Sequence, residues 1–539
     1  MFFKNDKIVL IKEDFDNYIG NIGHVNNTHI DCTNNINIAD NTDALVKFST
    51  GGKVANYYIQ IEKDGNRIVD LSIPRDNLLS IEDLTVVKKE LARQIYSILS
   101  KNTGKKMPWG MLTGVRPAKI PYEMMEKGMT EVEIISELQN YYFVSPKKAS
   151  LAYTIAKTEK SILERNTRDM VSLYIGIPFC KSRCHYCSFT SNCIDKNAYL
   201  VRKYTDALKR EIQMINEDIL KREKLKIQTI YIGGGTPTSV SNEELADLLQ
   251  FIENTLDLSN LEEYTLEAGR PDTIDREKLI TIKNSKVSRI SINPQTMNLE
   301  TLKAIGRSHT PEEVKEAFYL ARDIGINNIN MDIIVGLPGE TLSMFEHTLK
   351  EIRQMNPENL TVHALSIKRA SKLREELDTL DKHDKHKNNS HLKDVRLNKN
   401  ETDNENYAYD KGNSECANIW ESRLFVADET ANAMVDMAYN YALSMGMNPY
   451  YMYRQKNIAG NLENVGYSKP GFECIYNIQI MEEKQTIIAF GAGAVTKVVY
   501  PEENRIERAF NVKNLENYIT RIDEMIERKK NIWTQSGRM

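Results

Sequence analysis

The sequence predicts an α/β protein whose centre is a partial parallel (β/α)6 barrel. Between about residues 171 and 366, six short β-rich runs alternate with amphipathic helical stretches. That alternation is the mark of βαβ units and a parallel sheet. Six units close only part of a barrel that needs eight. The distinctive residues also fall where the runs end, and parallel α/β folds bind ligands at the C-terminal ends of their strands.

The six runs are Leu173–Ile177, Gln228–Ile232, Tyr264–Glu267, Ser288–Ile292, Asn328–Val335 and Leu360–Ala364. Helical patterns at Ala198–Ile215, Asn242–Thr255 and Pro311–Ile324 lie between them. The barrel is assigned to residues 171–375. Upstream, residues 1–100 read as an α+β region. There Val54–Ile61 and Arg67–Leu71 flank a turn containing Asp64 and Gly65, which predicts a hairpin, and a helix follows from Ile81 to about Ser100. Residues 101–170 read as a helical connector, with a loop from Trp109 to Lys119 and helices at Thr130–Leu138 and Pro146–Arg165. Residues 376–415 are polar and mixed in charge. They cannot bury enough apolar surface to order themselves and read as a flexible insertion, with His383, His386 and His391 solvated rather than gathered on a metal. Residues 416–539 read as a C-terminal α+β domain, with helices at Glu429–Ser444 and Leu515–Arg528 and strands at Cys474–Met481 and Thr486–Phe490.

Composition narrows the function. The chain has 539 residues, 41% hydrophobic and 27% charged, as an ordinary soluble protein does. A net charge of -4 gives no global basic footprint, so nucleic acid is not an expected partner. No apolar run approaches the roughly 20 residues needed to span a bilayer, and the N-terminus lacks the basic-then-apolar order of a signal peptide. Seven cysteines, three of them clustered, read as a metal site in a reducing compartment. A cytoplasmic protein is expected.

The three cysteines are Cys180, Cys184 and Cys187, spaced C-x3-C-x2-C. Four thiolates would complete a zinc site or saturate an iron–sulfur cluster. Three on one loop hold three irons of a 4Fe–4S cluster and leave the fourth open to a small ligand. Zinc is the alternative, with Cys193 or His185 as fourth ligand. A second run, Tyr231-Ile-Gly233-Gly234-Gly235-Thr236-Pro-Thr238, follows a strand. Its glycines suit close approach of a backbone to a ligand, where bare N–H and C=O groups grip an ammonium or carboxylate. A tight strand–helix turn with no ligand explains the run equally well.

The cysteine run resembles the signature of radical S-adenosylmethionine (SAM) enzymes. Tyr174-x-x-Ile-Pro-Phe-Cys180, the Gly-Gly-Gly-Thr-Pro-Thr run, Glu267, Arg289-Ile-Ser-Ile-Asn-Pro-Gln295, Gly306-Arg307 and Asn330-Met-Asp332 follow in the order of the oxygen-independent coproporphyrinogen-III dehydrogenase family. The founding branch carries a fourth cysteine, C-x3-C-x2-C-x-C, where this chain has Phe189. That departure resembles the HemW-like haem-chaperone branch and the HemZ branch. Flanking runs favour the latter: Trp109 to Pro117, Glu267-Ala-Gly-Arg-Pro-Asp-Thr-Ile274, His363 to Ser371, Tyr450 to Tyr467 and Asn477 to Gln485.

The resemblance implies a 4Fe–4S cluster on Cys180, Cys184 and Cys187. It implies SAM against Tyr174, Gly233, Gly234, Gly235 and Thr236, contacted by Glu267, Gln295, Arg307 and Asp332. Taken singly, Glu267 also fits a strand-end salt bridge and Asp332 a structural carboxylate. Arg454 and Lys456 are candidates to meet substrate carboxylates, with Tyr450, Tyr451 and Tyr453 against a flat macrocycle; a surface strand with ordinary charges is the alternative. Lys368 and Arg369 are further propionate candidates. The implied reaction is oxidative decarboxylation of coproporphyrinogen III to protoporphyrinogen IX in haem biosynthesis. It needs an electron donor of flavodoxin or ferredoxin type and an electron acceptor. The alternatives are a haem-binding chaperone and another radical SAM enzyme acting on a tetrapyrrole.

Overall fold

A computed structural model describes residues 8–13, 44–50, 56–63, 66–74, 84–366, 428–455, 462–501, 503 and 505–534. The 376–415 insertion, its three histidines, Lys368, Arg369 and Lys456 lie outside the described residues. The chain divides into two units, residues 1–113 with 124–153 and residues 114–123 with 154–539.

The first unit contains a four-stranded sheet of β1 (Ile8–Glu13), β2 (Ala44–Thr50), β3 (Asn56–Lys63) and β4 (Asn66–Pro74), in that order. β1 runs parallel to β2, and the other pairs are antiparallel. β3 and β4 form the predicted hairpin, with Lys63 opposite Asn66. Helix α1 (Leu84–Thr103) follows. Helix α2 (Glu131–Asn140) starts at a capping box, in which the Thr130 hydroxyl accepts from Glu133 N–H and the Glu133 carboxylate accepts from Thr130 N–H.

The second unit carries the parallel core. Its strands are β5 (Met170–Ile177), β6 (Lys226–Gly234), β7 (Glu263–Glu267), β8 (Arg289–Ser291), β9 (Ile329–Val335) and β10 (Asn359–Ala364). All six predicted runs are strands, and each pairs in parallel with the next. Both faces of these strands are covered, which is why they read as near-continuous apolar runs rather than alternating ones. Helix α3 (Ile194–Ile215) buries Leu200, Tyr204, Leu208, Ile212 and Ile215, a single stripe at helical spacing. Helices α4 (Asn242–Thr255), α5 (Arg276–Lys283), α6 (Pro311–Asp323) and α7 (Leu342–Met355) supply the later crossovers.

The segments after residue 427 do not build a sheet of their own. They are α8 (Asp428–Ser444), β11 (Asn448–Arg454), β12 (Glu463–Ser468), α9 (Ile475–Glu482), β13 (Thr486–Phe490), β14 (Val495–Tyr500), β15 (Arg505–Phe510), α10 (Leu515–Thr520) and α11 (Ile522–Thr534). Their strands extend the barrel sheet at both edges, in the order β11-β12-β10-β9-β8-β7-β6-β5-β13-β14-β15. β13 is a seventh parallel strand, with Val171 opposite Thr486, and β12 lies antiparallel to β10. The sheet is open, because β5 and β10 each pair outward instead of with one another.

Two expected elements differ. Residues 474–481 form helix α9 rather than a strand. Their Ile-Gln-Ile alternation is a strand signal, but the Glu263 carboxylate accepts from Ile475 N–H at 2.7 Å and from the Cys474 thiol at 3.1 Å. A carboxylate at that end favours a helix start. At the other end Arg116 donates to the Met481 and Glu482 carbonyls at 3.2 and 2.9 Å, which gives the Trp109–Pro117 run a structural part. The helix predicted over 515–528 is broken at Arg521 into α10 and α11.

Candidate functional site

The cysteines lie on the loop that leaves β5. A two-residue parallel pairing, Phe179 with Asn192 and Cys180 with Cys193, ties the ends of this loop together. His185 N–H donates to the Ile305 carbonyl at 3.0 Å, and Cys187 N–H to the Cys184 carbonyl at 3.1 Å. All three thiols are free and line one cleft of about 230 Å³ with Glu267, Gln295, Arg307 and Asp332. Each thiol meets a donor. Cys180 Sγ is 3.6 Å from Thr236 Oγ1, Cys184 Sγ is 4.0 Å from Arg270 Nη1, and Cys187 accepts from Phe189 N–H.

Burial pushes the Cys180 thiol up to about 11 and raises Cys187 as well. Uncompensated thiolates are costly here, and iron held by them would offset that cost with its positive charge. Among the described residues no three His, Cys, Asp or Glu side chains close on a single metal ion. Cys193, the proposed fourth zinc ligand, donates its thiol to the Lys181 carbonyl at 3.4 Å, and the His185 ring packs on Gly306. Three donor-facing thiols in one cleft fit an iron–sulfur cluster.

The glycine run packs against this loop. Gly235 N–H donates to the Ile177 carbonyl at 2.8 Å and Thr236 N–H to the Phe179 carbonyl at 2.7 Å. A Cβ on Gly235 would stand 2.5 Å from the Phe179 oxygen. Gly234 sits at φ +109°, and its backbone lies beside the Glu267 carboxyl and opposes the rise of that group. The N–H groups of Gly235 and Thr236 are thus taken up within the protein, while Gly234, Gly235 and Thr236 still line the cleft. A Cβ on Gly233 would meet Glu267 Oε2 at 2.8 Å, so this glycine makes room for the carboxylate. The Tyr174 hydroxyl lies beneath the Gly234 turn, with its ring stacked on Tyr231 and Tyr476.

Glu267 ends β7. Burial pushes its carboxyl up to about 7 against the Tyr231 hydroxyl bond, and Asp332 adds to the rise. Between about pH 5 and 7 the folded chain therefore holds a proton here that the unfolded chain has released. Stability of the SAM-free protein should fall as pH rises through that window, on the order of 2 kcal/mol because the open cleft relieves part of the desolvation. Glu267→Gln should flatten this slope in urea unfolding. An equal slope in the variant would remove Glu267 as its source.

Burial also opposes charge on Asp332, but His363, Asn330 and Thr361 hold it below the usual carboxylate range. Asn330 Nδ2 donates to Asp332 Oδ1 at 2.8 Å, and His363 Nε2 lies 3.9 Å from Asp332 Oδ2. Tyr453 Oη is 3.3 Å from His363 Nδ1. Gln295 sits at φ +67° just after β8, where its N–H donates to the Asp332 carbonyl at 2.9 Å. Arg307 Nη1 donates to the Asn293 carbonyl at 2.7 Å. Burial opposes its charge too, and Tyr186 and Cys184 keep it protonated.

The structure thus brings the cysteines, Gly234, Gly235, Thr236, Glu267, Gln295, Arg307 and Asp332 to one cleft. Arg454 goes elsewhere. It is 5% exposed, pairs in register with Glu463 and is not in the cleft wall, whereas its neighbours Tyr453 and Gln455 are. Alternate residues of a strand face opposite sides, and β11 turns the tyrosine inward. Tyr450 and Tyr451 are buried in the core. Sequence reasoning gave no role to Arg270, His363 or Asn464, although all three fall in runs that the resemblance singles out.

The chain is similar to known proteins along most of its length. The Radical SAM superfamily profile matches residues 174–352. The oxygen-independent coproporphyrinogen-III oxidase-like protein HemZ of Bacillus subtilis is 40% identical over 447 residues, covering 82% of this chain and 80% of the relative. The heme chaperone HemW of B. subtilis is 41% identical over 199 residues, covering 37% of this chain and 51% of the relative. Among solved structures, Escherichia coli coproporphyrinogen III oxidase (HemN) superposes with a TM-score of 0.47 at 18% identity, covering 69% of this chain and 73% of that one.

Proposed function

We propose, for a chain that belongs to the HemZ-like family within the radical SAM superfamily, that it catalyses oxidative decarboxylation of coproporphyrinogen III to protoporphyrinogen IX. Proteins of the superfamily use a 4Fe–4S cluster and SAM. The observation that carries the reading is the single cleft in which three cysteines meet Glu267, Gln295, Arg307 and Asp332. Its family setting is a likeness to HemZ over four fifths of the chain.

For each of two propionates the reaction removes one hydrogen atom, carbon dioxide and one electron, and leaves a vinyl group. The cluster and SAM, when bound, supply the 5′-deoxyadenosyl radical that takes the hydrogen atom. Cys180, Cys184 and Cys187 hold the cluster. Glu267 and Asp332 suit the ammonium and ribose hydroxyls of SAM, Arg307 its carboxylate, and Gln295 its polar edge. Across the cleft, His363, Tyr453, Gln455 and Asn464 form a polar wall for the substrate, with Phe189 at the rim. An electron donor of flavodoxin or ferredoxin type and an electron acceptor complete the cycle, in the cytoplasm.

The test is anaerobic reconstitution with iron and sulfide, then incubation with reductant, SAM and coproporphyrinogen. Formation of 5′-deoxyadenosine should depend on the porphyrinogen, and the product should have lost two carboxyl groups. Cys184→Ala should lose both iron and turnover. One finding favours a second reading: HemW of B. subtilis is 41% identical over 199 residues, and Phe189 stands where the founding branch has cysteine. An iron-loaded protein that binds haem, and yields no decarboxylated product with several electron acceptors, would establish the chaperone instead.

A further inference from the structure

Arg270 stands directly behind the cysteine loop, in the Glu267–Ile274 run. It is 2% exposed, and every one of its donors has a partner. Nε and Nη2 hold the Asp272 carboxylate at 3.0 and 3.1 Å. Nη2 also donates to Ser308 Oγ at 3.2 Å. Nη1 reaches the Ser182 carbonyl at 3.1 Å, Ser182 Oγ at 3.0 Å and Cys184 Sγ at 4.0 Å. One guanidinium therefore joins the cysteine loop, the loop after β7 and the segment that follows Arg307. Asp272 is fixed in turn by Ser308 Oγ at 3.1 Å, with Lys181 Nζ 3.6 Å away.

A rigid cation on a ligating sulfur has an electronic consequence. The potential of an iron–sulfur cluster depends on net charge, on hydrogen bonds to its sulfurs and on burial. Reduction adds one negative charge, which a nearby cation stabilises and a nearby carboxylate opposes. Arg270 and Asp272 form a bidentate pair, so their effects on that added charge have opposite signs. The guanidinium is the partner that touches the sulfur.

We propose that Arg270 is a positioning residue that fixes the Cys184 arm and raises the reduction potential of the cluster, while Asp272 moderates that rise. This rests on Cys180, Cys184 and Cys187 being the cluster ligands. The step concerned is uptake of one electron from an external reductant, with no bond made or broken.

Three reconstituted variants test it without SAM or substrate, by iron and sulfide content and by potentiometric titration followed through the paramagnetic signal of the reduced cluster. Cys184→Ala tests the ligand assignment alone, and full iron loading in it would remove the premise. Arg270→Gln should lower the reduced-to-oxidised ratio at a fixed potential by roughly tenfold, equal to about 59 mV for one electron. Asp272→Asn should raise that ratio, because the cation stays and its counter-charge goes. Mere loosening of the loop would move both variants in one direction. Shifts of the same sign, or no shift in iron-loaded Arg270→Gln, would overturn the proposal. If Arg270→Gln fails to take up iron, Asp272→Asn decides: an unchanged or lowered ratio would overturn it.

Discussion

Lys529→Ala should destabilise the chain by roughly 3–5 kcal/mol, the cost of leaving one member of a buried ion pair alone. Lys529 on α11 is 1% exposed and lies 2.5 Å from Glu211 Oε1 on α3, itself fully buried. Glu211 also accepts from Gly491 N–H at 2.9 Å, Asn511 Nδ2 at 2.8 Å and the Tyr518 hydroxyl at 2.6 Å. Without the ammonium these neutral donors surround an uncompensated charge, and Asn511 Oδ1 loses the donor that reaches it at 2.7 Å. Urea unfolding should show a lower midpoint. The double variant Glu211→Gln, Lys529→Met should recover much of the loss, since removing both charges removes the desolvation they share. A single variant as stable as the parent would mean that the pair contributes nothing net.

Gly235→Ala should cost the cluster rather than the fold. The added Cβ meets the Phe179 oxygen at 2.5 Å and the Phe179 nitrogen at 2.8 Å, and backbone cannot swing aside as a flexible side chain can. Phe179 immediately precedes Cys180, so relief moves the loop that carries the first ligand. Overpacking of this kind costs roughly 1–3 kcal/mol. Iron content after reconstitution should fall several-fold while far-ultraviolet circular dichroism stays as in the parent. Normal iron loading would show that the loop yields without disturbing Cys180.

The parallel core was legible because strands buried on both faces write themselves as apolar runs, and amphipathic helices between them have a distinct period. The cysteines and the residues at the strand ends were legible from order and spacing. What was not legible shares a cause. Residues 474–481 alternate like a strand but are turned into a helix by Glu263, some 200 residues earlier in the chain. For Arg454 the sequence left a substrate contact and an ordinary strand charge both open, and the register of β11, which sets it opposite Glu463, is not written in the local pattern. The glycine run lines the cleft, and the bonds by which Gly235 and Thr236 tie it to the segment before Cys180 are not contained in its local pattern. Arg270 carries no signal of its own, because its importance lies in partners drawn from three separate segments. In each case a distant residue decides, and local pattern does not contain it.

The pairing of β5 with β13 also sets an order of events during synthesis. Val171 reaches the ribosome exit long before its neighbour Thr486. At roughly 5–20 residues per second the interval is on the order of tens of seconds. Through that time β5 has an unpaired edge, a template for wrong pairing. Gly491, whose α-carbon packs against the Gly176 backbone at the foot of the cysteine loop, is not yet made. The cysteine loop can therefore gain its supports from the 235–236, 270 and 305 segments first, and its last backing, at Gly176, only when the strand after residue 485 has been made.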